Sequence, residues 1–125
     1  MKIPENLRYT KEHEWAKMEN DMVLIGITDY AQNELGDIVF VELPKIGDTA
    51  ESMKPCGSIE AVKSVSDIYA PVSGEIIEIN QELESNPQLI NQDPYGEGWI
   101  VKIKMSNPQE WDQLLSPKDY KDLIS

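Results

Sequence analysis

Short segments rich in apolar and β-branched residues run through the chain up to Met105, and none is long enough for a helix of several turns. These segments are Met22–Ile27, Asp37–Leu43, Gly74–Asn80 and Trp99–Met105. Such lengths and compositions favour β-strands over helices. In the last segment every second residue is apolar and Lys102 and Lys104 lie between, so one strand face should pack on the core. The pattern predicts a mainly β fold.

Helical signals are confined to one internal segment and the C-terminus. Thr28 is a favourable N-cap and Gly36 a favourable stop for a short helix between them. Two further starts, Asn107–Glu110 and Ser116–Asp119, share an N-cap residue, a proline and then an acid. Apolar residues follow these starts at helical spacing: Trp111, Leu114 and Leu115, then Tyr120, Leu123 and Ile124. We expect two short C-terminal helices, spanning about residues 107–125, to pack on the β part.

Composition and charge narrow the class of partner. The chain has 125 residues, 40% hydrophobic and 27% charged, which is ordinary for a globular protein and indicates a single domain over residues 1–125. Its formal net charge is −12, and the stretch from Ser64 to Val101 contains acids but neither Lys nor Arg. Nucleic acids and anionic membrane surfaces are bound through basic patches, so the charge argues against both. Protein partners with basic faces are favoured.

Residue types that carry out catalysis or bind metals are scarce. His13 is the only histidine and has no evident partner for a dyad or a metal site, which favours a structural role beside Trp15. Cys56 is the only cysteine and cannot form an internal disulfide, which fits a reducing compartment. Met1–Glu5 lacks the apolar core of a signal peptide. We expect a cytoplasmic protein that is not an enzyme, or a mitochondrial one only if a transit peptide has been removed.

One lysine occupies a special place in the pattern. Lys63 and Ser64 form a polar point between the apolar stretches Ile59–Val62 and Val65–Tyr69. If those stretches pair as a hairpin, the lysine lies at its tip with the amine in water. A single exposed lysine is common on any surface, but this one is the only basic residue between Lys54 and Lys102.

Several segments together give the chain a resemblance to the H-protein family of the glycine cleavage system. The matching segments are His13–Trp15, Gly26–Gln32, Leu35–Pro44, Glu60–Ser64, Ser66–Tyr69, Pro71–Glu75 and Asp93–Trp99. The resemblance implies a barrel-sandwich hybrid, the lipoyl/biotinyl-carrier fold, with lipoic acid in amide linkage to Lys63. It also implies that the lipoylating enzyme recognises Glu60, Ala61, Val62 and Ser64. Ala61 departs from the family, which usually has serine there.

The resemblance further implies a carrier function. The lipoyl-lysine arm would take the aminomethyl group of glycine from a pyridoxal-phosphate glycine decarboxylase to a tetrahydrofolate-dependent aminomethyltransferase, and then meet a flavin-containing dihydrolipoyl dehydrogenase. A lipoate ligase or a lipoyl/octanoyl transferase would attach the cofactor. Two alternatives stay open. The chain could act mainly as a lipoyl donor for 2-oxo-acid dehydrogenase subunits, or it could be an unmodified interaction domain.

We expect a cleft on the carrier to hold the loaded arm. An aminomethyl group is cationic near neutral pH, so carboxylates are its natural receptors. Glu14 is a candidate because the family resemblance places the His13–Trp15 segment on the surface that receives the arm. Asp67 is a candidate because it lies four residues past Lys63, near the base of the proposed hairpin, and Glu12 is a weaker one. Lysine plus lipoyl spans about ten single bonds and reaches roughly 12–14 Å.

Overall fold

The computed structural model describes residues 1–125, in which nine strands and a few short helices alternate. The strands are β1 (Arg8–Tyr9), β2 (Glu14–Glu19), β3 (Met22–Ile27), β4 (Ile38–Glu42), β5 (Thr49–Ala50), β6 (Pro55–Ala61), β7 (Val65–Tyr69), β8 (Gly74–Ile79) and β9 (Val101–Met105). The α-helices are α1 (Asp29–Leu35), α2 (Glu82–Ser85), α3 (Leu89–Gln92) and α4 (Pro117–Ile124), and a 3-10 helix spans Pro108–Gln113.

The strands form two antiparallel sheets, neither closed into a barrel. The larger sheet has six strands in the order β1-β2-β3-β9-β8-β5, and the smaller has three in the order β4-β6-β7. Each strand predicted from the sequence is present, and β3 has the predicted bounds. The fold is therefore mainly β with short helices, as expected.

Both sheets contribute to one core. A cluster of 17 buried hydrophobic residues takes Ile25 and Ile103 from the larger sheet, and Ile59 and Ile68 from the smaller one. Val101 and Ile103 are buried while Lys104 is exposed, which confirms the predicted alternation along β9. Burial of this apolar surface holds the smaller sheet, and with it the β6–β7 hairpin, in a fixed position.

The C-terminal segment packs on a second cluster, built from Leu7, Tyr9, Trp15 and Tyr120. The Tyr9 and Tyr120 rings stack with centroids 4.6 Å apart. The segment departs from the sequence prediction at Leu123, which is exposed rather than packed.

The first of the two predicted C-terminal helices is a 3-10 helix that ends at Gln113, before Leu114 and Leu115. Two restraints explain why it ends there. Leu115 forms an isolated β-bridge with Tyr9, and Ser116 precedes a proline, which disfavours helical geometry at Ser116. The second helix, α4, begins after the predicted N-cap Ser116, whose side chain accepts from the Asp119 N–H.

The signals for α1 are also confirmed. The Thr28 side chain caps the helix by accepting from the Ala31 N–H, and Gly36 ends it with a φ of 79°, a conformation that suits glycine. None of the helices combines the length and apolar content that a membrane span requires.

Candidate functional site

The β6–β7 hairpin, called the lysine hairpin below, spans Pro55–Tyr69 and carries Lys63 at its tip. Two backbone hydrogen bonds fix the turn: Ala61 N–H donates to the Ser64 carbonyl at 2.8 Å, and Val62 N–H donates to the Asp37 carbonyl at 3.0 Å. The second bond ties the turn to the segment that leads into β4. The base of the Lys63 side chain is therefore held in place.

The Lys63 side chain itself is free. The residue is exposed, and its amine takes part in no ion pair or hydrogen bond within residues 1–125. An amine with this freedom on a fixed base can accept an acyl group without breaking any contact of the fold.

The residues next to Lys63 differ in how accessible they are to an enzyme. Glu60, Val62 and Ser64 are exposed around the lysine, whereas Ala61 is buried and directed to the core. A small side chain at position 61 therefore fills a packing position beneath the turn. The absence of the serine hydroxyl at this position removes no exposed group.

Glu14, at the start of β2, is buried, with only 1% of its surface exposed. Its Oε1 accepts from the Thr10 hydroxyl, and its Oε2 accepts from the Tyr69 N–H at 3.2 Å. The same Thr10 Oγ1 accepts from the Glu12 and Glu14 N–H groups at 3.2 and 3.1 Å. This set, called the Glu14 pin below, joins β2 of the larger sheet to the end of β7 in the smaller one.

The environment of Glu14 disfavours its charge. Burial raises the pKa of the Glu14 carboxyl from 4.5 to about 7, and the nearby Glu12 carboxylate adds to the rise. The bonds from Thr10 and from the Tyr69 N–H act in the opposite direction but do not offset the burial. Near neutral pH the carboxyl is close to half ionised, so a nearby cation would strongly favour its charged form.

The other two proposed receptor carboxylates lie in different settings. Asp67 is exposed on β7, two residues before Tyr69, and lines a cleft of about 700 Å³ together with Glu42 and Ser58. Glu12 is exposed in the turn before β2, and no hydrogen bond holds its carboxylate. The structure thus brings Glu14 to the strand that carries Asp67, and leaves Asp67 and Glu12 open to solvent.

His13 and Trp15 flank Glu14 and serve the packing. His13 has a φ of 75°, and its Nδ1 lies 2.9 Å from the Tyr120 hydroxyl, which also lies 2.8 Å from Thr28 Oγ1. Burial lowers the pKa of the His13 imidazole. The Trp15 indole lies against Gly26, where any side chain would collide with the ring. Both residues therefore pack against other parts of the fold on either side of the buried Glu14.

Cys56, the one cysteine of the chain, is half-buried on β6. Burial, together with the Glu14 charge, raises the pKa of the Cys56 thiol to about 12. Residues 1–125 contain no cluster of three or more His, Cys, Asp or Glu side chains that could hold a metal ion. The site therefore offers one free amine and a set of carboxylates.

Sequence reasoning missed three contributors to this region. Thr10 and Tyr69 hold Glu14, and no local pattern marks either one. Phe40, on β4, is exposed beside the lysine hairpin. The sequence does contain a signal for Phe40. Ile38–Val41 is an uninterrupted apolar run, and successive side chains of a strand point to opposite faces, so some of these apolar side chains must be exposed when only one face packs on the core.

Comparison with known proteins gives matches over nearly the whole chain. The family model described as Glycine cleavage H-protein matches residues 7–125. The glycine cleavage system H protein of Staphylococcus carnosus is 55% identical over 124 residues, covering 99% of this chain and 98% of the relative. That of Carboxydothermus hydrogenoformans is 52% identical over 122 residues, covering 98% and 94%. The crystal structure of a glycine cleavage system H protein from Mycobacterium marinum matches with a TM-score of 0.91 at 37% identity, covering 98% of each chain.

A two-sheet β fold that presents a free lysine on a fixed turn is suited to carrying a covalently attached group, as carrier proteins do. The matches assign the particular carrier. The chain belongs to the glycine cleavage H-protein family, the lipoyl carriers of the glycine cleavage system, whose members are not catalytic enzymes.

Proposed function

We propose that this chain carries lipoic acid in amide linkage to Lys63 and delivers it in turn to the enzymes of glycine cleavage. One observation carries the proposal: the Lys63 amine is exposed and unpaired at a turn fixed by the Ala61 and Val62 hydrogen bonds. An acyl group of lipoyl length attached there could enter a partner's active site while the domain stays outside. When bound, the lipoyl disulfide supplies a group-accepting and redox-active end.

The proposed partners are the pyridoxal-phosphate glycine decarboxylase, the tetrahydrofolate-dependent aminomethyltransferase and the flavin-containing dihydrolipoyl dehydrogenase. A lipoate ligase or a lipoyl/octanoyl transferase acylates Lys63. The net charge of −12 supports docking to basic faces, and one carrier serving several enzymes needs weak and reversible contacts. We place this single-domain carrier, residues 1–125, in the cytoplasm.

Glu14, Asp67 and Glu12 form the proposed receptor for the cationic amine at the end of the loaded arm. Asp67 lies four residues beyond Lys63, so their Cα atoms are at most about 14 Å apart even if the intervening chain were fully extended. That distance agrees with the reach of roughly 12–14 Å for a lipoyl-lysine. Tyr69, two residues further on, binds the Glu14 carboxyl. An ammonium group that approaches Glu14 stabilises the ionised form of its carboxyl, which then releases its proton.

Intact-mass measurement of protein from its native host tests the attachment. We expect a lipoyl-sized increment that maps to the peptide containing Lys63. The matched control is Lys63→Arg, which keeps the charge but removes the amine that is acylated, and it should show no increment. An increment on another lysine, or none on protein from the host, contradicts the proposal.

Ammonia release from the aminomethyl-loaded protein tests the receptor. Glu14→Ala and Asp67→Ala should both be fully lipoylated at Lys63 when the reaction is run to completion, because neither residue is at the tip of the lysine hairpin. Both loaded variants should release ammonia faster than the unsubstituted protein, because the carboxylates that hold the amine away from water are missing. Equal release rates in all three proteins would remove Glu14 and Asp67 from the receptor.

A further inference from the structure

Exposed apolar side chains concentrate around Lys63. Eight large hydrophobic residues of the chain are exposed, and four of them surround the tip of the lysine hairpin. These four, called the collar below, are Val39, Phe40, Val62 and Val65, with exposed fractions of 48%, 53%, 69% and 68%. A concentration of this kind on one small area is typical of a surface that another protein covers.

Strand register assembles the collar from two distant parts of the chain. Phe40 pairs with Glu60, and Glu60 pairs with Val65, so the three side chains lie in one row across the smaller sheet and share its outer face. Val62 lies beside the start of β4 through its hydrogen bond to the Asp37 carbonyl. Val39 sits at the register shift between Ile38 and Phe40.

Charge argues against a second copy of this chain as the occupant. Exposed acids border the collar at Asp37, Glu42, Glu60 and Asp67, and Lys63 is the only cation among them. Two copies meeting through this face would bring like charges together, on proteins whose net charge is −12 each. A partner with an apolar centre and a basic rim matches both features of the surface.

The length of the side chain selects among the possible partners. An enzyme that acylates Lys63 must bring its reaction centre to Nζ, about 6 Å from the backbone of the turn. Enzymes that act on the far end of a lipoyl arm meet it roughly 12–14 Å away. The acylating enzyme therefore brings its reaction centre closest to the turn, which favours it as the occupant of the collar.

We propose that the collar is the docking surface for the enzyme that acylates Lys63, which meets it with an apolar patch rimmed by basic side chains. This inference rests on the proposed function and extends recognition from the residues next to Lys63 to Val39 and Phe40 on β4. Acylation joins Nζ to the carbonyl carbon of an activated lipoyl group, an acyl-adenylate or a thioester. It breaks the bond to the activating group and releases a proton from the amine.

The test compares lipoylation rates of collar variants, with lipoate ligase, lipoate and ATP as reagents and intact mass as the readout. Phe40→Ser removes the largest collar side chain, and Val65→Thr keeps the shape of valine while adding a polar atom. Leu123→Ser on α4 is the matched control, since Leu123 has an exposed fraction of 51%, close to that of Phe40. We expect KM for the carrier to rise about tenfold in each collar variant with kcat unchanged, and no change in the control.

Binding in the absence of turnover completes the test. In the Lys63→Arg background, calorimetry with the ligase should show about tenfold weaker binding when Phe40→Ser or Val65→Thr is added. Thermal unfolding checks that each variant is folded. If Phe40→Ser does not fold, Val65→Thr alone decides the test. Normal lipoylation of both collar variants overturns the collar proposal and leaves the proposed function intact. An unsubstituted chain that neither the ligase nor a lipoyl/octanoyl transferase acylates at Lys63 overturns both.

Discussion

The lysine hairpin tip and the Glu14 pin are two polar sites of opposite construction. At the tip, Lys63 is exposed and its side chain forms no hydrogen bond or ion pair, while the backbone beneath it is fixed by hydrogen bonds. At the pin, Glu14 is buried, and Thr10 and the Tyr69 N–H hold its carboxyl group. The first arrangement suits an amine that has to reach into another protein. The second suits a carboxyl group that becomes ionised when a cation binds beside it.

The difference also separates function from stability. Removal of the Lys63 amine should cost activity without cost to the fold, whereas changes at the pin should affect the fold directly.

Glu14 should make stability depend on pH. The folded protein holds a proton on Glu14 up to about pH 7, while the unfolded chain releases it near pH 4.5, so the free energy of unfolding falls as pH rises between these values. The contribution lost over this window is about 3 kcal/mol. Glu14→Gln keeps the shape and removes the titration, so urea unfolding from pH 4.5 to 7.5 should give a flatter profile. Parallel profiles for the two proteins would contradict the buried, protonated carboxyl.

Thr10 should matter through its hydroxyl alone. Thr10→Val keeps the shape of the side chain but removes the group that donates to Glu14 and accepts from two N–H groups. We expect a loss of about 2 kcal/mol in the free energy of unfolding, measured by urea denaturation at pH 7. Thr49→Val, at an exposed position of β5, is the control and should change stability by less than about 0.5 kcal/mol. Equal effects at the two threonines would remove Thr10 from the pin.

Lys63→Arg and Asp67→Asn should have the smallest effect on stability. Both residues are exposed, and neither side chain forms an ion pair within residues 1–125. Each change should shift the free energy of unfolding by less than about 0.5 kcal/mol. A loss above 1 kcal/mol in either variant would show that its side chain has a structural partner after all, and the contrast between tip and pin would fail.

Local signals predicted much of this molecule. Thr28 and Gly36 delimit α1, and Ser116 with Pro117 starts α4, because capping depends on residues within one turn. The lysine hairpin followed from two short apolar stretches on either side of a polar point. These features depend on neighbours in the sequence, which the sequence itself displays.

Features built from distant residues were not predictable in the same way. The bond between Glu14 and Tyr69 joins positions 55 residues apart, so burial of Glu14 follows from how two sheets pack and not from any pattern near it. The sequence pattern did not predict the short helices α2 and α3, because each spans one turn and buries a single residue, Leu83 or Ile90. One buried residue cannot establish a helical period.

The setting of Cys56 has a consequence for the chemistry of the whole carrier. Thiolates exchange readily with disulfides, and protonated thiols do not. With the pKa of Cys56 near 12, its sulfur stays protonated at cellular pH. A lipoyl disulfide on Lys63, as proposed, would thus find no reactive thiol on its own carrier, and its oxidation state would be set by the partner enzymes alone.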